Sequence, residues 1–146
     1  IALYGAAPVT PENLPIRLTP VMTLQSTVIG LKKLEVGEPV GYGETWQAKR
    51  PSIIATIAIG YADGYPRSAK AGTPVFINGQ LAPIAGRVSM DMITIDVTDI
   101  EQVKLGDLVE LWGENLPVEV VAKHMDSINY ELLTRVSARV SKKYLL

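Results

Sequence analysis

The sequence predicts a mainly β domain with one or two short helices near its C-terminal end. Three observations carry this expectation. Short runs rich in Val, Ile and Thr recur along the chain, each closed by Gly, Pro or Asn. An Asn78-Gly79 pair separates two such apolar runs. One segment with helical periodicity follows Pro117.

The elements follow in order. Residues 1–15 carry Pro8, Pro11 and Pro15 and read as a connector arriving from an upstream part of a longer protein, with the β domain over 16–146. Strands are expected at 21–30, 53–59, 73–77, 84–88, 92–97 and 108–111. Asn78-Gly79 accepts the positive φ angles of a type I′ turn, so the chain should pair with itself across it. Residues 92–97 partly alternate apolar and polar, as a strand with one buried face should. Val118, Val121, Ala122 and Met125 fall at i, i+3, i+4 and i+7, and Pro117 suits the opening of a helix. A short second helix is expected to begin near Asp126 or Ser127, either of which can cap it.

At 146 residues, 47% hydrophobic and 20% charged, the chain suits one domain with a sizeable core. Lys plus Arg number 14 against 15 Asp plus Glu, a formal charge of -1, which leaves no electrostatic footprint for nucleic acid or an anionic membrane surface. The longest apolar stretch, 53–59, is far short of the roughly 20 residues a membrane-spanning helix needs. There is no Cys, which removes disulfides, thiolate metal sites and a cysteine nucleophile. The expectation is a cytoplasmic protein, compatible with a reducing compartment.

Six Tyr stand against one Phe and two Trp, so most rings bring a hydroxyl that packing alone does not require. Tyr42 lies in Val40-Gly41-Tyr42-Gly43-Glu44-Thr45-Trp46. The flanking glycines permit unusual backbone angles and leave room for a ligand or another chain to reach the ring. A phenol titrates at about 10 and serves as a general acid or base at neutral pH only beside positive charge or hydrogen-bond donors. No such group is local in sequence, so Tyr42 reads either as a strand-turn tyrosine or as a catalytic one.

A second cluster, Gly60-Tyr61-Ala62-Asp63-Gly64-Tyr65-Pro66-Arg67, follows an apolar strand directly. It reads equally as a functional loop on a rigid strand end and as a turn made by Asp-Gly and Tyr-Pro, with Arg67 pairing a carboxylate. In the third, Gly86-Arg87-Val88-Ser89-Met90-Asp91-Met92, a backbone amide could meet an anionic ligand while the Met90 thioether packs on a small substrate. Core filling is the alternative for Met90. The lone His124 lies within the helical segment, and with no Cys and no second His it reads as structural rather than metal-binding.

Taken in order and spacing, these clusters, together with Ile128-Asn129-Tyr130-Glu131, resemble the C-terminal domain of bacterial alanine racemases. The resemblance implies a barrel-like β domain that follows an N-terminal (β/α)8 barrel carrying pyridoxal phosphate, in a head-to-tail homodimer whose active site is shared between subunits. It implies that Tyr42 is the catalytic tyrosine exchanging the α-proton of alanine on one face, opposite a lysine of the barrel. Met90 resembles the residue whose N–H meets the substrate carboxylate, and Tyr61 an entrance residue that narrows access. Tyr130 resembles a tyrosine reaching the cofactor phosphate. Arg87 and Asp91 match the motif as structural supports for Met90. Ser89 falls where some members carry Cys. No segment resembles the one that bears the cofactor lysine, so the chain alone is expected to be inactive. Two rivals remain beside this reading: a broad-specificity amino-acid racemase, and a non-catalytic β-barrel interaction module.

Overall fold

The computed structural model describes residues 1–8, 16 and 18–145. Within them lie strands β1 (Leu24–Leu34), β2 (Pro39–Val40), β3 (Trp46–Gln47), β4 (Ser52–Ile57), β5 (Pro74–Ile77), β6 (Gln80–Pro83), β7 (Ile93–Asp96) and β8 (Leu108–Trp112). Helices α1 (Val118–Lys123) and α2 (Asn129–Arg135) follow. The mainly β fold and both helices are as expected from the sequence.

β1 is the spine. It pairs with β8 from Leu24↔Trp112 to Thr27↔Leu108, and with β4 from Val28↔Ile57 to Leu34↔Ser52, all antiparallel. Its register slips between Val28 and Gly30. Such a bulge bends and twists a strand, which helps a long one curve around a core. The sheet runs β6-β5-β8-β1-β4-β7. Its two ends approach through an Ile84↔Ile95 bridge and an Ala85 N–H to Thr94 carbonyl bond of 2.9 Å, so the sheet nearly closes into a barrel.

The expected 84–88 strand is the one that fails. Only Ile84 makes a bridge, and Gly86 then turns the chain at φ 89°, an angle that leaves the extended region. The neighbouring strand is instead β6, the return arm of the hairpin. Ile77 pairs with Gln80 across Asn78 (φ 47°) and Gly79 (φ 80°), the two positive angles of the expected turn.

Alternation places one face of each strand inside. Val75, Ile77, Ile93, Ile95, Val109 and Leu111 are buried, and each stabilises the fold by roughly 2 kcal/mol through removal of apolar surface from water. Trp112 and Tyr65 join this core with their rings stacked, centroids 5.9 Å apart and planes 13° from parallel.

α1 buries Val118, Val121 and Ala122, and Met125 is buried in the turn beyond it. His124 is exposed at the helix C-cap, its ring nitrogen 3.0 Å from the Val120 carbonyl. α2 begins later than expected and without a side-chain cap. Asp126 pairs with Lys70, Ser127 pairs with Glu131, and extended Ile128 leads into the helix. Part of the expected connector, 9–15, lies outside the described residues. The part before it is docked: Ala6 and Ala7 are buried, Asn129 donates to the Ala7 carbonyl at 2.6 Å, and the Glu119 carboxylate accepts from the Ala7 N–H. None of the described helices is long and apolar enough to cross a membrane.

Candidate active site

Tyr42 opens a 3-10 turn, Tyr42–Glu44, between the two-residue strands β2 and β3. Gly41 and Gly43 take φ angles of 80° and 73°, which side-chain-bearing residues adopt at a cost. The turn leans on the third sequence cluster, because a Cβ at Gly41 would lie 3.3 Å from the Arg87 nitrogen and one at Gly86 only 3.0 Å from the Val40 carbonyl oxygen. Close backbone contact of two glycine turns thus fixes the loop while Tyr42 stays 78% exposed.

The Tyr61 and Met90 loops are tied directly. Tyr61 N–H donates to the Ser89 carbonyl and Ala62 N–H to the Met90 carbonyl, both at 3.0 Å. A Cβ on Gly60 would lie 2.4 Å from the Met90 carbonyl oxygen, so glycine is needed for this approach. Ser89 turns the Met90 loop back on itself, its N–H and hydroxyl both donating to the Met92 carbonyl at 3.0 and 2.7 Å. Both Tyr61 and Met90 are exposed. No described residue accepts a hydrogen bond from the Met90 N–H, which leaves that donor available. Asp91 is held by Arg139 at 2.7 Å.

Tyr130 stands in the first turn of α2, exposed, and no described hydrogen bond joins it to the other three. Its helix is seated on the Tyr61 loop from the other end. Ser137 N–H donates to the Asp63 carbonyl at 2.9 Å, and a Cβ on Gly64 would fall 2.2 Å from the Arg135 carbonyl oxygen. The chain therefore carries all four candidates on interlocked elements, with the Tyr61 and Met90 loops bonded directly, Tyr42 joined through Gly86–Arg87 and Tyr130 through the end of α2.

A shallow cavity of about 340 Å³ beside the Tyr42 turn is lined by Thr45, Arg67, Ser68, Lys70 and Arg87 among others. Lys70 is paired with Asp126, whereas Arg67 and Arg87 make no ion pair with a described residue, so the wall is cationic. A larger cleft of about 480 Å³ is lined by Tyr4, Met22, Trp112 and Leu133 among others, and none of the four candidates borders it. Sequence motifs missed Arg139, which grips both Asp63 and Asp91. It lies outside every cluster and is separated from Asp91 by 48 positions, a pairing no local pattern encodes.

Residues 21–144 match the family model described as alanine racemase, C-terminal domain. The chain belongs to this family. It is 53% identical over 146 residues to an alanine racemase of Pseudoalteromonas atlantica, covering 99% of this chain and 39% of that protein. The crystal structure of the biosynthetic alanine racemase from Pseudomonas aeruginosa superposes with a TM-score of 0.93 at 47% identity, covering 99% of this chain and 41% of that one. An alanine racemase structure from Bartonella henselae with covalently bound pyridoxal phosphate gives a TM-score of 0.89 at 40% identity, covering 99% of this chain and 40% of the other. The chain thus spans about two-fifths of the alanine racemases it matches.

Proposed function

We propose that this chain is the C-terminal, site-completing part of a cytoplasmic alanine racemase that interconverts L- and D-alanine, with residues 16–146 as the β domain and 1–15 leading from a pyridoxal-phosphate barrel. The observation that carries the reading is the exposed Tyr42 ring on a turn clamped by glycine contacts. An exposed phenol on a rigid loop is suited to complete a site formed with another domain or subunit. A head-to-tail homodimer, with this domain facing the barrel of the second subunit, gives Tyr42 that setting.

Pyridoxal phosphate is the implied cofactor, and the residues here fit one side of it only. A lysine that forms a Schiff base is activated by desolvation or a neighbouring cation in an enclosed site, and every lysine of this chain is exposed. The covalent anchor therefore belongs to the barrel, while Tyr130 supplies a neutral hydroxyl donor to the phosphate. When bound, the cofactor serves as an electron sink for charge developing at the substrate α-carbon.

Tyr42 takes or returns the α-proton on one face, and the barrel lysine serves the other. Inversion needs both, because one group cannot deliver a proton to the face opposite the one it removed it from. Arg67 and Arg87 supply positive charge beside the Tyr42 turn, which favours the carboxylate end of the substrate. The Met90 N–H holds the substrate carboxylate, and Tyr61 narrows the entrance, which favours a small side chain.

The test is Tyr42→Phe in the full-length parent enzyme. Enantiomers have equal free energy, so loss of one base lowers kcat/KM in both directions together, here by about a thousandfold. Solvent deuterium should still enter one enantiomer without inversion, through the remaining base. Near-normal racemisation in the variant would remove Tyr42 from the chemistry. An unmodified parent that racemises larger amino acids as fast as alanine would favour the broad-specificity alternative.

A further inference from the structure

Arg139 joins the two loops that carry Tyr61 and Met90. Its Nε lies 3.0 Å from Asp63 Oδ1 and its Nη2 2.7 Å from Asp91 Oδ1. The other oxygen of Asp63 accepts from the Gly60 N–H at 2.8 Å, so this carboxylate also closes the turn that presents Tyr61. Asp63 is mostly buried, with 13% of its side chain exposed, whereas the Arg50–Asp99 pair elsewhere is exposed at 53% and 75%. An exposed pair of that second kind contributes little to stability. The Arg139 grip differs because it holds two carboxylates at one guanidinium. Without the cation, those carboxylates repel each other across the junction of the two loops.

We propose that Arg139 is a positioning residue: by holding Asp63 and Asp91 together it fixes the Met90 N–H against the Tyr61 turn, and so sets how tightly the substrate carboxylate is held. This rests on the racemase reading above. Arg139 itself touches no reacting atom. A carboxylate contact made equally in the ground and transition states acts on KM rather than kcat.

The experiment uses the full-length parent enzyme with Arg139→Gln and Arg139→Lys, and Arg50→Gln as the remote control. Arg139→Gln should raise KM for alanine on the order of tenfold to a hundredfold, the scale of a misplaced binding group, with kcat nearly unchanged. Arg139→Lys keeps the charge but not the two-pronged geometry and should recover part of the loss. Arg50→Gln should change neither constant. An unchanged KM in Arg139→Gln, or a fall confined to kcat, would overturn the assignment while the racemase reading stands. If Arg139→Gln does not fold, Asp91→Asn decides the matter, since it releases one contact and leaves Asp63 held. A raised KM there supports the assignment, and an unchanged KM overturns it. Absence of racemisation by the unmodified parent would overturn the racemase reading, and this assignment with it.

Discussion

The Tyr65 hydroxyl is buried with no hydrogen-bond partner among the described residues, while its ring packs on Trp112. An unpartnered buried hydroxyl is destabilising, so Tyr65→Phe keeps the stacking and should raise the stability of the chain by about 1 kcal/mol at neutral pH. Burial also pushes the Tyr65 phenol well above its ordinary range. The fold therefore retains a proton that the unfolded chain gives up above pH of about 10, and stability present below that pH declines above it. Urea midpoints measured on both sides of that pH should show a shallower alkaline decline for Tyr65→Phe. An identical decline in the two proteins would place the alkaline sensitivity elsewhere. Tyr65 also shows where reading from residues runs out: its motif is shared with exposed Tyr61, yet one ring is core and the other surface. Sequence proximity placed both in one loop, and only the packing of the turn against Trp112 separates them.

At the scale of elements, two glycines with similar angles should respond differently to substitution. Gly79 (φ 80°) has nothing within 4 Å of where a Cβ would sit, so Gly79→Ala incurs only the left-handed backbone penalty, about 1 kcal/mol. Gly64 (φ 97°) adds a Cβ 2.2 Å from the Arg135 carbonyl oxygen, and Gly64→Ala should cost on the order of 3 kcal/mol while loosening the seat of α2. Equal losses in denaturant unfolding would show that α2 can shift without penalty. The hairpin at Asn78-Gly79 was legible because its two-residue turn is a local chemistry. The start of α2 was not, since Asp126 and Ser127 are drawn to Lys70 and Glu131 instead of capping the helix. The 84–88 run misled for a related reason: its apolar residues are buried by a turn beside β7 rather than by a strand.

For the molecule as a whole, the nearly closed sheet supplies a core of its own, whereas the candidate residues Tyr42, Tyr61, Met90 and Tyr130 all remain on the outside. Under the proposed function the chain alone should give no racemisation, and co-expression with the cognate barrel should restore it together with bound pyridoxal phosphate. Activity from the chain alone would show that it holds a complete site. The mainly β class and the ordered tyrosine clusters could be read directly, because strand periodicity and glycine-flanked turns leave local marks. The interlocking of those clusters could not, because it depends on contacts such as Gly41 against Arg87 and Arg139 against Asp63, which join distant parts of the chain. The two indoles divide along the same line. Trp112 is buried in the main core, whereas half-buried Trp46 begins β3, just beyond the Tyr42 turn, and packs on a separate small cluster. The chain therefore has two natural fluorophores with different addresses, one reporting the integrity of the nearly closed sheet and the other the surroundings of the proposed catalytic turn.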